Sequence, residues 1–466
     1  MSIATTERLT SLRRPARPAR EHLRAVPAEE LRGLAIPRTV ADNLGVPTVH
    51  RTVVDYANFD HAASTPALES VKRAVDAALR TYASVHRGNG YASRVTTRWY
   101  EQARAEVARF VGARADDLVV FTRGTTDSLN LLARALPSGT RVFVFESEHH
   151  AALLPWQARH TVRLPVPGSQ ADALELLEDA LASAPEGPKL VVVTGASNVT
   201  GELWPVADIV GVARRYAARV ALDAAQLAPH RPVDIAKLGV DYVVLSGHKL
   251  YAPFGTGVLA GRADWLEAAQ PYLRGGGATA RVTETEVVWS AGASRHEAGS
   301  PNVIGAVALA AACATFQAHR DAIELHEETL AARLRHGLAG IEGVTTYSMF
   351  GPASERVGVV AFTVPGVPSA LVSAALSAEH GIGVRDGKFC AHLLVDALLE
   401  DRHSPSAPTT AVRASVGLAN TVEQVDRLVE AVRTLATTGP NFDYELTDCG
   451  WEPVDDPRDL SLPRPW

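Results

Sequence analysis

One lysine stands where amine chemistry is expected. The chain has five lysines against forty-one arginines, and Lys249 closely follows an apolar run, 242–245, that predicts a short buried strand. In open α/β sheets, ligands bind beyond the carboxyl ends of the strands. A lysine in such a dry site has a depressed pKa and can attack an electrophile. We therefore interpret Lys249 as an amine nucleophile, for which forming a Schiff base is one suitable task.

Polar residues also follow earlier predicted strands. Thr125 and Thr126 come after the run 118–121 and open a predicted helix, whose N-terminus could hold an anion. Threonine is also a common helix cap, which is the alternative interpretation. His149 follows the next strand with a second histidine beside it. Its ring could stack on a planar ligand, or the two histidines could form an exposed pair.

Two further predicted strands end in the same way. Asn198 follows the run 190–193 and brings a hydrogen-bonding amide, while Asp223 follows Leu222 directly, with Gln226 three residues on. A carboxylate at that depth is costly unless a cation pairs with it, although Asp223 could instead cap the following turn. Because these positions all lie at carboxyl ends of strands, we expect one site that contains Thr125, His149, Asn198, Asp223 and Lys249.

Together these groups fit one cofactor. An anion cradle, a stacking ring, a carboxylate and a lysine are the groups that pyridoxal 5′-phosphate requires. The lysine would hold the aldehyde, the carboxylate would keep the pyridine nitrogen protonated, and the helix N-terminus would take the phosphate. The residues therefore predict an enzyme that binds pyridoxal 5′-phosphate.

The elements that must position these residues alternate along the chain. Strand-like and helix-like runs alternate from 118 to 260, which is typical of a mostly parallel sheet flanked by helices. After Asn302 we expect two helices, 302–318 and 321–341, and then a smaller α+β unit. The predicted parts are a basic N-terminal arm that is mobile or straps a partner subunit (1–50), a large cofactor-binding domain (51–310), a small α+β domain (311–438) and an aromatic tail (439–466).

The composition argues against several other classes of protein. A net charge of −6 and the lack of long apolar runs give no sign of nucleic-acid binding or of a membrane protein. Three cysteines are too few for a disulfide scaffold. The basic N-terminal run lacks the apolar core of an export signal, so we expect a cytoplasmic protein. No G-x-S-x-G motif of a serine hydrolase and no spacing typical of metal ligands occurs.

Several motifs resemble those of a known family. S-N-V-T-G, D-A-A-Q, S-G-H-K-L-Y-A-P and R-H-E-A-G-S-P-N are similar, in order and spacing, to motifs of the class V aminotransferase family of fold type I pyridoxal-phosphate enzymes. The resemblance covers roughly residues 50–437 and is strongest to the group II cysteine desulfurases, which are selenocysteine lyase-like. It implies a large α/β domain with a mostly parallel seven-stranded sheet flanked by helices, and a smaller α+β C-terminal domain. It also implies a homodimer with active sites at the interface.

The resemblance implies a role for each matching residue. The lysine would carry the cofactor aldehyde, the histidine would stack on the ring, the aspartate would pair with the pyridine nitrogen and the glutamine would reach the ring oxygen. These ring-binding residues are Lys249, His149, Asp223 and Gln226. The residues implied for the phosphate are Thr125, Thr126, Ser246, His248 and, from the other subunit, Ser300. Asn198, at the edge of the cofactor, and Arg413 would grip the substrate carboxylate, for which a guanidinium is suited.

The residue specific to the desulfurases would be Cys390, in V-R-D-G-K-F-C-A-H. Members of that group place a nucleophilic cysteine in such a loop, preceded by an arginine that corresponds to Arg385. A free cysteine is more commonly a small buried hydrophobic residue, but the flanking Gly387, Lys388 and His392 favour an exposed loop. The implied reaction is attack of the Cys390 thiolate on the sulfur of L-cysteine or a cysteine-like amino acid. It leaves a persulfide, for delivery to a sulfur acceptor protein, and alanine.

The chain departs from the desulfurase pattern at three places. Gly90 replaces a histidine, Ala152 replaces an asparagine, and the segment between Cys390 and Arg413 is several residues longer. These changes motivate an alternative, namely a C–S β-lyase, aminotransferase or epimerase of a specialised biosynthetic pathway, in which Cys390 is not catalytic. A non-catalytic binding or scaffold relative is a further alternative, and the intact lysine, aspartate and histidine argue against it.

Overall fold

The computed structural model describes residues 33–400, 408–461, 464 and 466. The first 32 residues of the predicted basic arm lie outside this part. Residues 33–50 of the arm are described, and Thr39 and Val49 among them are buried. The Val49 N–H donates to the Ala378 carbonyl (2.9 Å), so the described end of the predicted arm packs on the body of the protein.

Short strands and helices make up most of the described chain. The strands are β1 (Gly45–Pro47), β2 (Val53–Asp55), β3 (Ala57–Asn58), β4 (Asp117–Thr122), β5 (Arg141–Phe145), β6 (Thr161–Leu164), β7 (Lys189–Thr194), β8 (Ala218–Asp223), β9 (Tyr242–Ser246), β10 (Gly257–Arg262), β11 (Thr279–Val282), β12 (Val287–Trp289), β13 (Thr345–Thr346), β14 (Val359–Thr363), β15 (Ile382–Gly383), β16 (Arg385–Gly387), β17 (Ala411–Ser415), β18 (Tyr444–Thr447) and β19 (Gly450–Pro453). The α-helices are α1 (Glu69–Leu79), α2 (Tyr91–Phe110), α3 (Thr125–Ala135), α4 (His150–Leu153), α5 (Gln170–Ala182), α6 (Val206–Arg215), α7 (Ile235–Leu238), α8 (Ala263–Ala268), α9 (Val303–Ala339), α10 (Ser369–His380), α11 (His392–Leu399) and α12 (Val422–Thr438).

A seven-stranded sheet forms the centre of the large unit. Its strand order is β4-β10-β9-β8-β7-β5-β6. β10 is antiparallel to both of its neighbours, and the other adjacent pairs are parallel, so six strands run in one direction. The predicted mostly parallel sheet is therefore confirmed. Its strands are almost wholly apolar because helices cover both faces.

The alternation of side chains along β7 shows how both faces are buried. Val191 and Val193 belong to the core beneath α5, α6 and part of α9. Leu190 and Val192 belong to the core on the other face, beneath α3 and α8. Successive strand residues point to opposite faces, so a central strand of this sheet has no face left for polar residues until it ends.

Helix α9 joins the two units of the protein. The two helices predicted over 302–318 and 321–341 are one continuous helix, which is a correction to the sequence interpretation. Leu309 and Phe316 pack in the core of the large unit, whereas Leu330 and Leu334 pack in the core of the small unit. Among the described residues, α9 alone is long and apolar enough to cross a membrane, but helices buried in protein cores meet the same criteria. The predicted domain boundary at 310/311 falls inside it.

Three other elements differ from their predictions. Strand β6 is absent from the predicted set, because only four residues pair at the sheet edge and Arg163 among them is exposed. The apolar positions over 99–112 recur with a helical period and predict a helix there, but helix α2 begins eight residues earlier, at Tyr91. Helix α11, directly after Cys390, is also absent from the predicted set, since its sequence H-L-L-V-D-A-L-L is too short to show a clear helical period.

The small unit packs α10, α12 and the end of α9 against the antiparallel sheet β13-β14-β17-β16. The aromatic tail continues into the β18–β19 hairpin, which packs on α10. Both carboxylate oxygens of the buried Glu379 accept the Asn441 N–H (3.1 Å each), and one accepts the Tyr444 hydroxyl (3.2 Å). The surface that the tail covers therefore belongs to its own small unit.

Candidate active site

A cavity of about 250 Å³ lies at the carboxyl edge of the large sheet. Twelve of the thirteen predicted site residues line it, namely Thr125, Thr126, His149, Asn198, Asp223, Gln226, Ser246, His248, Lys249, Arg385, Cys390 and Arg413. Ser300 does not line it. A larger cavity of about 900 Å³, between residues 36–44 and 418–427, contains none of the predicted residues. The smaller cavity is therefore the candidate active site, because the predicted catalytic and binding residues lie around it.

The register of the sheet explains why residues far apart in sequence meet in this cavity. Thr194, the last residue of β7, is paired with Asp223, the last residue of β8, and Asp223 is paired with Val244 of β9. The three strands therefore end at nearly the same level. The side chains that follow them, Asn198 and Lys249, leave the sheet on one edge, as expected for parallel strands.

The start of α3 and the end of β9 form a corner suited to an anion. The Thr125 N–H donates to Ser246 Oγ (2.8 Å), and the two hydroxyl groups lie 2.8 Å apart. The N-cap residue is Gly124 and no side chain caps the helix, so the interpretation of Thr125 as a cap is wrong. The backbone is crowded there, because a Cβ on Gly257 would clash with Gly124. N–H groups and hydroxyls at a helix N-terminus commonly bind phosphate.

Asp223 and Lys249 both line the cavity, and the charge of each offsets the effect of burial on the pKa of the other. Asp223 is buried, and its Oδ1 accepts the Ala225 N–H (2.9 Å), so it caps the following turn and also lines the cavity. Burial raises the pKa of Asp223, and the Lys249 ammonium acts in the opposite direction. Burial lowers the pKa of Lys249 to about 8, although the Asp223 charge opposes this. An amine with such a pKa is partly neutral near physiological pH and can act as a nucleophile.

His149 is held in one orientation by the main chain. It is the N-cap residue of α4, and its Nδ1 accepts the Ala151 N–H (3.0 Å). In a neutral ring with Nδ1 as acceptor, the proton lies on Nε2. Burial and, after it, the Lys249 charge lower the pKa of His149 to about 3. The ring is thus a neutral, half-buried part of the cavity wall, which differs from the alternative of an exposed histidine pair.

Arg413 enters the cavity from β17 of the small unit and is only 4% exposed. Its Nη1 donates to the Asn198 carbonyl (3.1 Å), and its Nη2 donates to Asp60 Oδ1 (3.0 Å). Burial lowers the pKa of Arg413, and Asp60 offsets that effect. Asp60 is absent from the predicted site. The signal that could have found it is its position in the polar loop D-H-A-A, two residues after β3.

A second buried carboxyl group is also absent from the predicted site. Glu148 lies directly before His149, and its Oε1 accepts the Thr194 N–H (2.9 Å). Its other carboxylate oxygen is buried without a partner among the described residues. Burial raises the pKa of Glu148 well above its usual range, and the nearby Asp223 charge acts in the same direction. Gln226 Nε2 donates to the Ala62 carbonyl (2.7 Å), which leaves its second N–H for the cavity.

Cys390 lies in the loop between β16 and α11 and is exposed, so the alternative of a buried hydrophobic residue is wrong. Two hydrogen bonds tie this loop to the cavity wall. Asn198 Nδ2 donates to the Phe389 carbonyl (2.8 Å), and the His150 N–H donates to the Cys390 carbonyl (2.7 Å). The thiol therefore shares the cavity with Lys249.

The last two predicted residues occupy different places. Arg385 is exposed and lies opposite Arg413 in the β16–β17 pair, so both side chains are on one face of the small sheet. Ser300 is exposed outside the cavity, just before α9. Its segment is anchored by Glu297, whose two carboxylate oxygens accept from Arg104 (2.7 and 2.8 Å). Arg385 therefore lies at the candidate active site, whereas Ser300 lies outside the cavity of its own chain.

Comparison with known proteins identifies the family of this chain. The profile of the family described as aminotransferase class-V matches residues 57–428. A cysteine desulfurase of Klebsiella pneumoniae is 36% identical over 390 residues, which are 81% of this chain and 93% of that protein. A probable cysteine desulfurase of Aeropyrum pernix is 37% identical over 398 residues, or 81% of this chain and 94% of that protein.

A solved structure has the same architecture. The apo structure of a cysteine desulfurase from Thermococcus onnurineus superposes with a TM-score of 0.73 at 32% sequence identity, covering 82% of this chain and 94% of that one. The matched region includes both the large sheet and the small unit, since the family profile runs from β3 into α12. This chain therefore belongs to the class V aminotransferase family.

Proposed function

We propose that this protein is a pyridoxal 5′-phosphate-dependent cysteine desulfurase that acts on L-cysteine or a cysteine-like amino acid. The observation that carries the proposal is that the exposed Cys390 shares one cavity with Lys249 and the buried Asp223. The relatives named cysteine desulfurase support it, because they match this chain over more than nine tenths of their own lengths.

The groups around the cavity fit the proposed cofactor. The hydroxyl groups of Thr125 and Ser246 lie together at the N-terminus of α3, where a phosphate would bind. Among the described residues, no cation donates a hydrogen bond to the buried Asp223 carboxylate, and the ring nitrogen could supply one. Lys249 provides an amine for the aldehyde, and the neutral ring of His149 provides a flat surface. The remaining residues that would hold the cofactor are Thr126, Asn198, Gln226 and His248.

When bound, pyridoxal 5′-phosphate supplies an electron sink for the bonds at the substrate Cα. Arg413 and Asn198 would bind the carboxylate, and Arg385 stands beside them at the cavity. Lys249 Nζ, with its lowered pKa, would accept the Cα proton. The Cys390 thiolate would attack the substrate sulfur, forming an S–S bond while the C–S bond breaks. The electron pair of that bond goes to Cβ, which takes up a proton, so alanine leaves and Cys390 keeps the persulfide.

Three further points belong to the same proposal. The exposure of Cys390 supports transfer of the sulfur to an acceptor protein. A homodimer, in which Ser300 of each subunit completes the phosphate site of the other, is supported by the exposure of Ser300 outside the cavity of its own chain. A cytoplasmic location would suit an enzyme that works through a free thiol.

Replacing the nucleophile tests the proposal. Cys390→Ala should lower the rate of alanine and sulfide formation from L-cysteine by roughly 100-fold or more, because no other group supplies the attacking thiolate. The visible absorption of the bound cofactor should stay unchanged. Cys449→Ala is the matched control, since Cys449 is also exposed but does not line the cavity. Full activity of Cys390→Ala would refute the persulfide role.

The same assay addresses the alternative of a C–S β-lyase, aminotransferase or epimerase. Gly90 and Ala152, whose identities motivate that alternative, do not line the cavity. Gly90 is exposed at the start of α2, and Ala152 is buried in α4. These two departures therefore leave the residues that line the cavity unchanged, whereas the third, the longer segment between Cys390 and Arg413, lies partly outside the described residues. Pyruvate released from S-conjugated cysteines by Cys390→Ala would support the lyase instead.

A further inference from the structure

The loop that carries Cys390 has a conformation that its residues do not favour. Phe389 and Cys390 have φ angles of 52° and 55°, in the left-handed region. Residues with a Cβ incur a steric penalty there, and two in succession are uncommon. Such a conformation persists only where surrounding groups hold it.

Two donors from the large unit hold the strained pair. The Asn198 amide donates to the Phe389 carbonyl (2.8 Å), and the His150 N–H donates to the Cys390 carbonyl (2.7 Å). The Ala391 N–H closes the turn on the Lys388 carbonyl (2.9 Å). Both carbonyls of the strained pair thus accept hydrogen bonds from residues distant in sequence.

Asn198 also contacts the proposed carboxylate anchor. The main-chain carbonyl of Asn198 accepts a hydrogen bond from Arg413 Nη1 (3.1 Å). The Arg413 guanidinium also lies over the Phe389 ring, 5.1 Å from the ring centroid. Phe389 is 7% exposed, so this ring is enclosed between the arginine and the loop. Asn198, Arg413 and Phe389 therefore form one packed unit beside the thiol.

We propose that Asn198 is a positioning residue for Cys390, in addition to its proposed role in binding the carboxylate. One N–H of its amide holds the thiol loop through the Phe389 carbonyl, and the other N–H remains for the substrate carboxylate. A single side chain thereby sets the separation between the carboxylate anchor and the attacking sulfur. The inference rests on the proposed function, and it implies a preference for sulfur on Cβ over sulfur on Cγ.

Amide hydrogen exchange in the holoenzyme tests the hydrogen bonding directly. Asn198→Asp keeps the size of the side chain but cannot donate, so the loop should open more often. Exchange at the His150 and Ala391 amides should rise about fivefold, as expected for the loss of one hydrogen bond. The Thr194 amide, which donates to Glu148, is an internal control and should not change.

The matched control variant is Asp60→Asn. It alters the other partner of Arg413 but leaves the Asn198–Phe389 bond in place, so exchange at His150 and Ala391 should stay within about twofold of the parent. Unchanged exchange in Asn198→Asp, or an equal rise at Thr194, would overturn the proposal. Exchange needs no turnover, so this result is separate from the fate of the desulfurase assignment, which Cys390→Ala decides.

A second pair of variants tests the strain. Phe389→Ala and Phe389→Gly both remove the ring, but only glycine adopts φ near 52° without a penalty. Exchange at the His150 amide should therefore be about fivefold slower in Phe389→Gly than in Phe389→Ala. Equal rates would show that the left-handed pair is not held against strain, and would contradict the proposal.

The catalytic consequence is a change in substrate discrimination. The ratio of kcat/KM for L-cysteine to that for L-homocysteine cancels any common loss of carboxylate binding. In Asn198→Asp this ratio should fall about fivefold, because the thiol loop no longer keeps a fixed distance from the anchor. Asp60→Asn, which alters the other partner of Arg413 but leaves the Asn198–Phe389 hydrogen bond in place, should leave the ratio unchanged. A constant ratio in Asn198→Asp would refute the positioning role.

Discussion

At the scale of single residues, the environment of Lys249 determines what the site can do. The amine loses solvation in the cavity, and this lowers its pKa to about 8. Asp223 and Asp60 stabilise the ammonium, whereas Arg413 disfavours it. Burial is the largest of these effects, so the lysine that is proposed to hold the cofactor is also able to carry a proton near physiological pH.

The rate of cofactor uptake by the apoprotein should follow this titration. Only the neutral amine attacks an aldehyde, so the rate should rise with pH through a midpoint near 8 and level off above it. Visible absorbance after mixing with pyridoxal 5′-phosphate measures the rate, and Lys249→Ala should show no lysine-dependent band. A midpoint near 10.5, the ordinary value for lysine, would contradict the structure.

At the scale of elements, helix α9 connects the two units without a break. Its first half packs in the large core and its second half packs in the small core. Arg413 and Cys390 belong to the small unit, while Lys249 and Asp223 belong to the large one. A continuous helix between the units therefore helps to keep the two halves of the active site in register.

The continuity of α9 predicts a large effect of proline. Asp321 is exposed in the middle of the helix, directly after residues 319–320, where the sequence interpretation places the break. Asp321→Pro should lower the free energy of unfolding by about 3 kcal/mol, because it removes a helical hydrogen bond and clashes with the preceding turn.

Asp321→Ala is the matched control, and its free energy of unfolding should be within about 0.5 kcal/mol of that of the parent. Urea denaturation followed by circular dichroism measures both variants. If Asp321→Pro were as stable as Asp321→Ala, the chain would have an interhelical turn at this position and the single helix would be refuted.

At the scale of the whole molecule, the C-terminal tail is part of the small unit. The β18–β19 hairpin covers α10, and the buried Glu379 receives hydrogen bonds from Asn441 and Tyr444. A buried carboxylate is tolerated only where donors satisfy it. Packing within the chain thus accounts for Tyr444, whereas Trp466 at the end of the tail is 92% exposed.

Shortening the chain after Gly439 should therefore affect stability more than chemistry. The free energy of unfolding should fall, and by more than the roughly 1 kcal/mol expected for Tyr444→Phe, which removes one hydrogen bond. The dissociation constant of the cofactor should stay within about twofold, because none of the tail residues that the structure describes lines the cavity. Thermal denaturation and cofactor titration measure the two effects. A large loss of cofactor affinity with unchanged stability would contradict this assignment.

The sequence alone was sufficient for the part of the site that belongs to the large sheet. Thr125, His149, Asn198, Asp223 and Lys249 each follow a short apolar run, and parallel strands that end at one edge must bring such residues together. This inference needs only local patterns and one general property of α/β sheets. The fold class follows from the same alternation, and the family resemblance confirms it.

The family resemblance named Arg385, Cys390 and Arg413 as site residues of the small unit, but only the tertiary structure showed which contacts hold them at the cavity. Asp60 and Arg413 form an ion pair although they are 353 positions apart in sequence, and no local sequence pattern predicts such a pair. The exposure of Cys390 and the strain at Phe389 likewise depend on hydrogen bonds from Asn198 and His150. The physical reason is that these contacts arise from the docking of two units through long-range packing, whereas strand-end positions arise from the periodicity of a single segment.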